Sequence, residues 1–356
     1  MRVAINTDGL YTTQAGTARY IRGLMRGLQR ACPADIEWFP LAWPVENYSY
    51  QQPERALKTF YREAVWAKIL APARLRASGA DLLHAAAGWL IDPPSPVRSV
   101  VTLHDLALIR VPQRFRLWQR CSGRRRLHKL CRADRVICIS RFTADEAMTC
   151  LGLPASKLEV IHNGCDFHPS EPPPAESKPD FKVPPEFFLF VGSLEPGKNL
   201  ALLREAWRLS ARDHPLPPLL IAGARWEGVA GEGTAPQNWH YLGRQPDDVL
   251  VHLYRRALGL VFPSKYEGFG LPVVEAMALG TPVICSPIAS LQEVGGDGAL
   301  FADPDPAAYL KALRRLLDEP ALRTERIEAG RKQAAHFSWD RCARQTVEVY
   351  RKTLGE

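Results

Sequence analysis

Seven prolines lie between His168 and Pro185, at positions 169, 172, 173, 174, 179, 184 and 185. Such a stretch describes an extended linker rather than a packed element. It divides the 356 residues into two parts, each long enough to bury its own core. In the first part short apolar runs alternate with helical stretches. Strands are predicted at Arg2–Asn6, Ile36–Phe39, Asp81–His84, Ser99–His104, Arg135–Ile139 and Leu158–Ile161, and helices at Ala18–Arg30, Glu54–Leu70, Leu117–Leu130 and Arg141–Leu151. In the second part strands are predicted at Phe187–Gly192, Leu219–Gly223, Trp239–Gly243, Gly259–Phe262 and Pro282–Cys285, with a last helix at Asp340–Leu354. Alternation of this kind implies two mostly parallel sheets covered on both faces. The expected organisation is a first domain over 1–168, a linker over 169–185, a second domain over 186–338 and a terminal helix over 339–356.

Composition excludes several classes of protein. Hydrophobic content of 46% and charged content of 24% are those of an ordinary globular chain, neither fibrous nor disordered. The opening residues read as a strand rather than a signal peptide, and no apolar run is long enough to span a bilayer. Residence in the cytoplasm is the expectation. Eight cysteines, at 32, 121, 131, 138, 150, 165, 285 and 342, include no Cys-x-x-Cys pair, so reduced thiols are expected.

The net charge of +8 is concentrated locally. Arg114, Arg116, Arg120, Arg124, Arg125, Arg126, Lys129 and Arg132 are interleaved with Phe115, Leu117, Trp118, Leu127 and Leu130, which predicts a basic amphipathic helix over 114–132. Two readings stay open for it: a solvated face, or a patch that docks on anionic lipid headgroups. Nucleic acid is disfavoured, because no aromatic stacking platform or recognition motif accompanies the charge.

Chemistry concentrates at Lys265-Tyr-Glu-Gly-Phe-Gly-Leu-Pro-Val-Val-Glu275. The apolar run Ala257–Pro263 before it suits a strand buried on both faces. Gly268, Gly270 and Pro272 then open a helix, and the glycines allow backbone to approach a ligand closely. A helix start of this kind presents amides and the positive end of the dipole, a match for a diphosphate. Glu267 and Glu275 each accept hydrogen bonds in pairs, which suits sugar or ribose diols. On the blander reading Glu275 is a first-turn helix acid favoured by the dipole, and Glu267 a solvated loop residue. His104, after a buried-type strand, sits at the edge of a parallel sheet where ligands bind.

The form Tyr-Glu-Gly-Phe-Gly-Leu-Pro-x-x-Glu-Ala-Met-Ala-x-Gly-x-Pro-Val resembles the retaining glycosyltransferases of family 4, and the resemblance extends over essentially the whole chain. It implies the α/β GT-B fold: two Rossmann-like domains facing each other across a deep cleft, with the last helix returning to the first domain after a bend at Phe337-Ser-Trp339. It implies a nucleotide-sugar donor, GDP- or UDP-linked, bound as substrate, with no cofactor and no metal. The acceptor implied is a glycan or a polyprenyl-diphosphate-linked sugar, and the details look closest to mannosyl- or rhamnosyl-type transferases of bacterial surface polysaccharides.

The same resemblance assigns residues. Phe190-Val-Gly-Ser-Leu-Glu-Pro-Gly-Lys-Asn199 matches the family's phosphate-gripping turn, with Lys198 as its lysine. Ser193 and Gly197 stand where relatives carry an arginine. His104, Lys198 and Glu267 become the catalytic set. Gly16, Ser193, Lys198, Arg244, Ser264, Gly268, Phe269, Gly270, Leu271 and Glu275 become the donor-binding set, with Glu275 on the ribose. Arg244 and Gln245 lie where relatives contact the base. Asp105 either meets the acceptor, orients His104 or caps the following segment. Asp303-Pro-Asp305 reads as a loop rather than a metal motif. Three rivals remain: a catalytically inactive nucleotide-sugar or polysaccharide-binding relative, which would bind donor without turnover; a peripheral membrane or nucleic-acid binder using the arginine helix alone, which would leave the glutamate turn unexplained; and an NAD oxidoreductase. The loop Thr12–Tyr20 lacks the G-x-G-x-x-G that the oxidoreductase requires.

Overall fold

A computed structural model describes residues 1–12, 16–31, 33–43, 58, 60–115, 117–167, 177–211, 214–224 and 235–356. The chain forms two compact units: Met1–Gly164 with Trp339–Glu356, and Cys165–Ser338. Part of the proline-rich stretch, 168–176, lies outside the described residues, and 177–185 forms neither helix nor strand.

Each unit is built on a six-stranded parallel sheet. The first contains β1 (Arg2–Asn6), β2 (Glu37–Leu41), β3 (Leu82–Ala85), β4 (Arg98–Leu103), β5 (Arg135–Cys138) and β6 (Leu158–Val160), in the order β2-β1-β3-β4-β5-β6. The second contains β7 (Phe188–Val191), β8 (Leu219–Ala222), β9 (Trp239–Gly243), β10 (Gly259–Phe262), β11 (Val283–Cys285) and β12 (Ala299–Phe301), in the order β12-β11-β10-β7-β8-β9. The α/β class expected from the alternation is borne out. Central strands are apolar on both faces because helices cover both: Leu260, Val261 and Phe262 are fully buried, and Leu260 pairs with Val283 on one side and Leu189 on the other.

In the second sheet β7 and β10 are neighbours although β8 and β9 intervene in sequence, so the chain leaves in one direction after β7 and returns to start the other half at β10. The carboxyl ends of such a strand pair open a crevice, the usual ligand position in open α/β sheets.

Two expectations are corrected. The basic segment is not one amphipathic helix. Pro112–Arg114 is a 3-10 turn, Leu117–His128 an α-helix and Lys129–Arg132 a second 3-10 turn. Part of its charge is used internally: Lys129 and Arg132 pair with Asp92 at 3.0 and 3.6 Å, and Arg120 donates to the Phe115 carbonyl. Arg124 and Arg125 are exposed; the side chains at 114 and 116–119 lie outside the described residues. The helix expected over 54–70 is described only in part. From Tyr61 to Leu70 it has the wide π-type turn, and it runs on as Ala71–Ser78 until Gly79, at φ 63°, ends it.

The last helix, Trp339–Leu354, belongs to the first unit. Trp339 is fully buried against Gly23 and Gly27 of the Gly16–Ala31 helix and against Gly164, each of which approaches so closely that a Cβ would enter the tryptophan. Arg30 pairs with Asp340 at 2.8 Å and Arg351 with Asp35 at 3.1 Å. Among the described residues no helix is long and apolar enough to cross a membrane.

Candidate active site

Two loops meet beyond β7 and β10. After β7, Glu195 starts a 3-10 turn at Pro196–Lys198, its carboxylate accepting from the Gly197 amide at 2.9 Å, and Asn199 closes the turn in the left-handed region at φ 57°. The Gly197 carbonyl then accepts from the Lys265 amide at 2.9 Å, joining this turn to the loop after β10. That junction brings Lys198 Nζ to 2.5 Å from Glu267 Oε1, with both side chains only 13% and 14% exposed. The ammonium also lies 5.2 Å from the centroid of the Phe262 ring, a cation–π contact. Ser290 donates to the Glu267 carbonyl at 2.8 Å and holds the backbone beneath the carboxylate.

Gly270 caps the Leu271–Ala278 helix at φ 104°, a conformation glycine adopts without strain. Pro272 lies in the first turn, where its missing N–H costs nothing. Amides at such a helix start lack intrahelical acceptors, and the dipole adds positive potential. Phe269 is buried and meets Phe337 edge-on at 5.6 Å, so its side chain anchors the loop and leaves only its backbone for ligand.

Ser264, two residues past β10, is fully buried, and its Oγ has no hydrogen-bond partner among the described residues. A buried hydroxyl in that state is uncommon and marks a place where a ligand or water completes the structure. Glu275 is 2% exposed and lies in the second helical turn rather than the first. The dipole reading of that residue is therefore set aside: one carboxylate oxygen accepts from the buried Tyr254 hydroxyl at 3.0 Å. Gly268 and Ser193 lie within the same two loops, and Leu271 is the first residue of the helix that follows Gly270.

Arg244 is exposed after β9, the edge strand, two strands away from β7, and no contact joins it to Lys198 or Glu267 among those described. Gln245 donates to the Leu242 carbonyl at 2.6 Å. Asp305 caps the Pro306–Asp318 helix through the Ala308 amide at 2.9 Å, in keeping with the loop reading of that motif.

In the first unit His104 directly follows β4. Its Nε2 lies 2.8 Å from the Ala86 carbonyl; a carbonyl only accepts, so Nε2 carries the proton and Nδ1 of the neutral ring is the acceptor. Burial lowers the pKa of His104, against the Ala86 hydrogen bond and the Asp105 charge. Asp105 is exposed and uses one carboxylate oxygen to accept from the Ala107 amide at 2.9 Å, so it serves the following turn rather than the imidazole. Gly16 is exposed at the start of its helix, and 13–15 before it lie outside the described residues.

Sequence reasoning missed Tyr254, Ser290 and Phe262. Each lies in a stretch whose pattern shows only ordinary helix or strand burial. Their hydroxyls and ring acquire meaning only from what the fold places opposite them.

The chain matches the family described as Glycosyltransferase Family 4 over residues 15–169 and that described as Glycosyl transferases group 1 over residues 174–333. The O-antigen chain mannosyltransferase B of Escherichia coli is 33% identical over 269 residues, which cover 71% of this chain and 70% of that one. Other curated relatives include D-inositol 3-phosphate glycosyltransferases and glycogen synthases, and the chain spans 58% of one such transferase and 54% of one such synthase. Among solved structures, sucrose-phosphate synthase from Thermosynechococcus elongatus superposes with a TM-score of 0.74 at 21% identity, covering 99% of both chains. Anabaena HepE in complex with UDP-glucose gives 0.67 at 17% identity, covering 99% of this chain and 100% of that one. With two six-stranded parallel sheets of the GT-B kind and a 33%-identical relative spanning most of its length, the chain belongs to the family 4, group 1 glycosyltransferases.

Proposed function

We propose that this protein is a metal-independent hexosyltransferase that moves a sugar, mannose in the first instance, from a nucleoside diphosphate donor to a hydroxyl of a glycan or polyprenyl-diphosphate-linked acceptor, with retention at the anomeric carbon, in the synthesis of bacterial surface polysaccharide. The observation that carries this reading is the Lys198–Glu267 pair beside the Gly270-capped helix, where cation, dipole and carboxylate stand together at the crevice of a parallel sheet. Support for the sugar comes from the Escherichia coli O-antigen mannosyltransferase, and for the donor class from HepE in complex with UDP-glucose.

In the proposed reaction the bond between the anomeric carbon and the β-phosphate oxygen breaks while an acceptor oxygen bonds to the same face. The acceptor hydroxyl proton passes to the departing phosphate oxygen. Negative charge grows on the diphosphate and positive character on the sugar. Lys198, the amides at Gly268–Leu271 and the Ser264 hydroxyl meet the diphosphate; Ser193 lines the same turn. Glu267 faces the donor sugar, Glu275 holds the ribose, and His104 accepts a sugar hydroxyl at Nδ1. Gly16 and Asp105 serve donor and acceptor from the first unit, and Arg244 the base.

The test is incubation of the purified protein with GDP-mannose, and separately UDP-hexoses, with a polyprenyl-diphosphate-linked saccharide. Expected is nucleoside diphosphate release coupled to a product whose anomeric configuration, read by proton NMR, equals that of the donor. An inverted product overturns retention, and donor binding without turnover establishes the binding-protein alternative. Activity that chelator abolishes and magnesium restores overturns metal independence. The proposal includes a cytoplasmic protein peripheral at the inner leaflet of the plasma membrane, which predicts flotation with anionic liposomes, reduced when Arg124, Arg125 and Arg126 become Gln; identical flotation leaves that segment a solvated face.

A further inference from the structure

Behind His104 the first unit buries a chain of polar side chains. His84, on β3, is fully buried. Its Nδ1 lies 2.7 Å from the hydroxyl of Tyr350 on the last helix, and its Nε2 lies 2.8 Å from Thr102 Oγ1 on β4. The same Thr102 oxygen lies 2.9 Å from the hydroxyl of Tyr20, on the Gly16–Ala31 helix. The Tyr20 ring in turn stands edge-on to the His104 imidazole, centroids 5.0 Å apart and planes at 81°. Four elements of the unit are thus joined through one threonine hydroxyl.

Burial, then the nearby His104, keeps His84 neutral with a pKa of about 3. A neutral imidazole has one N–H and one lone pair, so its bonds to Thr102 and Tyr350 run in a single sense along the chain. Whichever tautomer is present, loss of the Thr102 hydroxyl strands both His84 Nε2 and the Tyr20 hydroxyl in an apolar interior, and such stranding is costly. Among the described residues His104 is held by a hydrogen bond to the Ala86 carbonyl, which leaves the ring plane to be set by its packing. Tyr20 supplies that packing, and Thr102 sets the orientation of Tyr20.

We propose that Thr102 is a positioning residue for His104: its hydroxyl, shared between Tyr20 and His84, fixes the Tyr20 ring edge-on against the His104 imidazole and anchors that arrangement to Tyr350 of the last helix. Its kinetic consequence rests on the transferase reading above; its geometric consequence does not.

The test compares Thr102→Val, which removes the hydroxyl at nearly constant volume, with Thr102→Ser, which restores it, and with Tyr350→Phe at the far end of the chain. Turnover, donor KM, the unfolding midpoint and the His104 imidazole nitrogen resonances are measured on the full-length protein. A misaimed hydrogen bond that strengthens only as the sugar–phosphate bond breaks costs rate more than ground-state binding, so Thr102→Val is expected to lower kcat by about 10-fold to 100-fold while donor KM stays within about two-fold. The His104 resonances shift in the same variant, Thr102→Ser recovers both, and Tyr350→Phe gives a smaller change of the same sign. The proposal is overturned by wild-type kcat and unmoved His104 resonances in Thr102→Val, or by losses in the Val and Ser variants that merely follow their stabilities. If Thr102→Val does not fold, Tyr350→Phe decides on the same readouts. If the wild-type protein transfers no sugar, the transferase reading fails separately, and the resonances alone decide whether Thr102 orients His104.

Discussion

Lys198 Nζ lies 2.5 Å from Glu267 Oε1 across 69 residues of sequence. The pair exists because β7 and β10 are hydrogen-bonded neighbours, so the turns that follow them emerge side by side. In a partly desolvated place each charge depends on the other, and an arriving diphosphate offers the ammonium a second anionic partner.

Lys198→Ala is expected to lower kcat by about 10²-fold to 10³-fold, as removal of a donor aimed at developing charge does, while donor affinity falls less. Single-turnover rates and calorimetric donor binding separate the two. A loss confined to affinity contradicts the assignment of the lysine to the leaving group.

Ser264→Ala removes a buried hydroxyl that has no hydrogen-bond partner among the described residues, so stability is expected to stay within about 0.5 kcal/mol of wild type or to rise. Donor affinity moves the other way, falling about 10-fold, the scale of one hydrogen bond to a charged group. Urea unfolding and nucleoside diphosphate titration check the two halves. A destabilised variant with unchanged affinity assigns the hydroxyl to the fold instead.

The sign of the pH dependence follows from His84. Its ordinary pKa is 6.5 and burial lowers it to about 3, so below pH 6.5 the unfolded chain takes up a proton that the native state refuses. Stability from this group is therefore complete above about pH 6.5 and is lost progressively as the pH falls toward 3. Urea midpoints between pH 7.5 and 4.5 are expected to fall, and to fall less in His84→Gln. Equal slopes in the two proteins remove His84 from the account.

At Gly23 a methyl group enters the indole of Trp339. Gly23→Ala is expected to destabilise by about 1–3 kcal/mol, the usual scale of overpacking, despite alanine's better helix propensity. Thermal unfolding measures it, and an unchanged or raised midpoint shows that the last helix can shift aside at little cost.

Much of this was legible in the chain. Trp239–Gly243 and Gly259–Phe262 have the bounds the sequence predicts, because short runs of aromatic and apolar residues bounded by glycine or proline carry strand signal locally. Ala299–Phe301 was not foreseen: a three-residue edge strand ending in an exposed Phe301 has too little pattern to register. The basic segment misled because charge and apolar spacing were read without knowing where the chain turns, and Asp92, which pairs with Lys129 and Arg132, is far from both in sequence.

By itself the sequence determined the α/β class, the alternation of strands with helices, and the loop and following helix that carry Glu267, Gly270 and Glu275, since these depend on residues within a few positions of one another. Tertiary structure alone decided that Lys198 touches Glu267, that Tyr254 holds Glu275, and that Thr102 joins Tyr20 to His84. Those contacts follow from strand order and helix packing, and burial raises the cost of leaving any of their polar atoms unpaired.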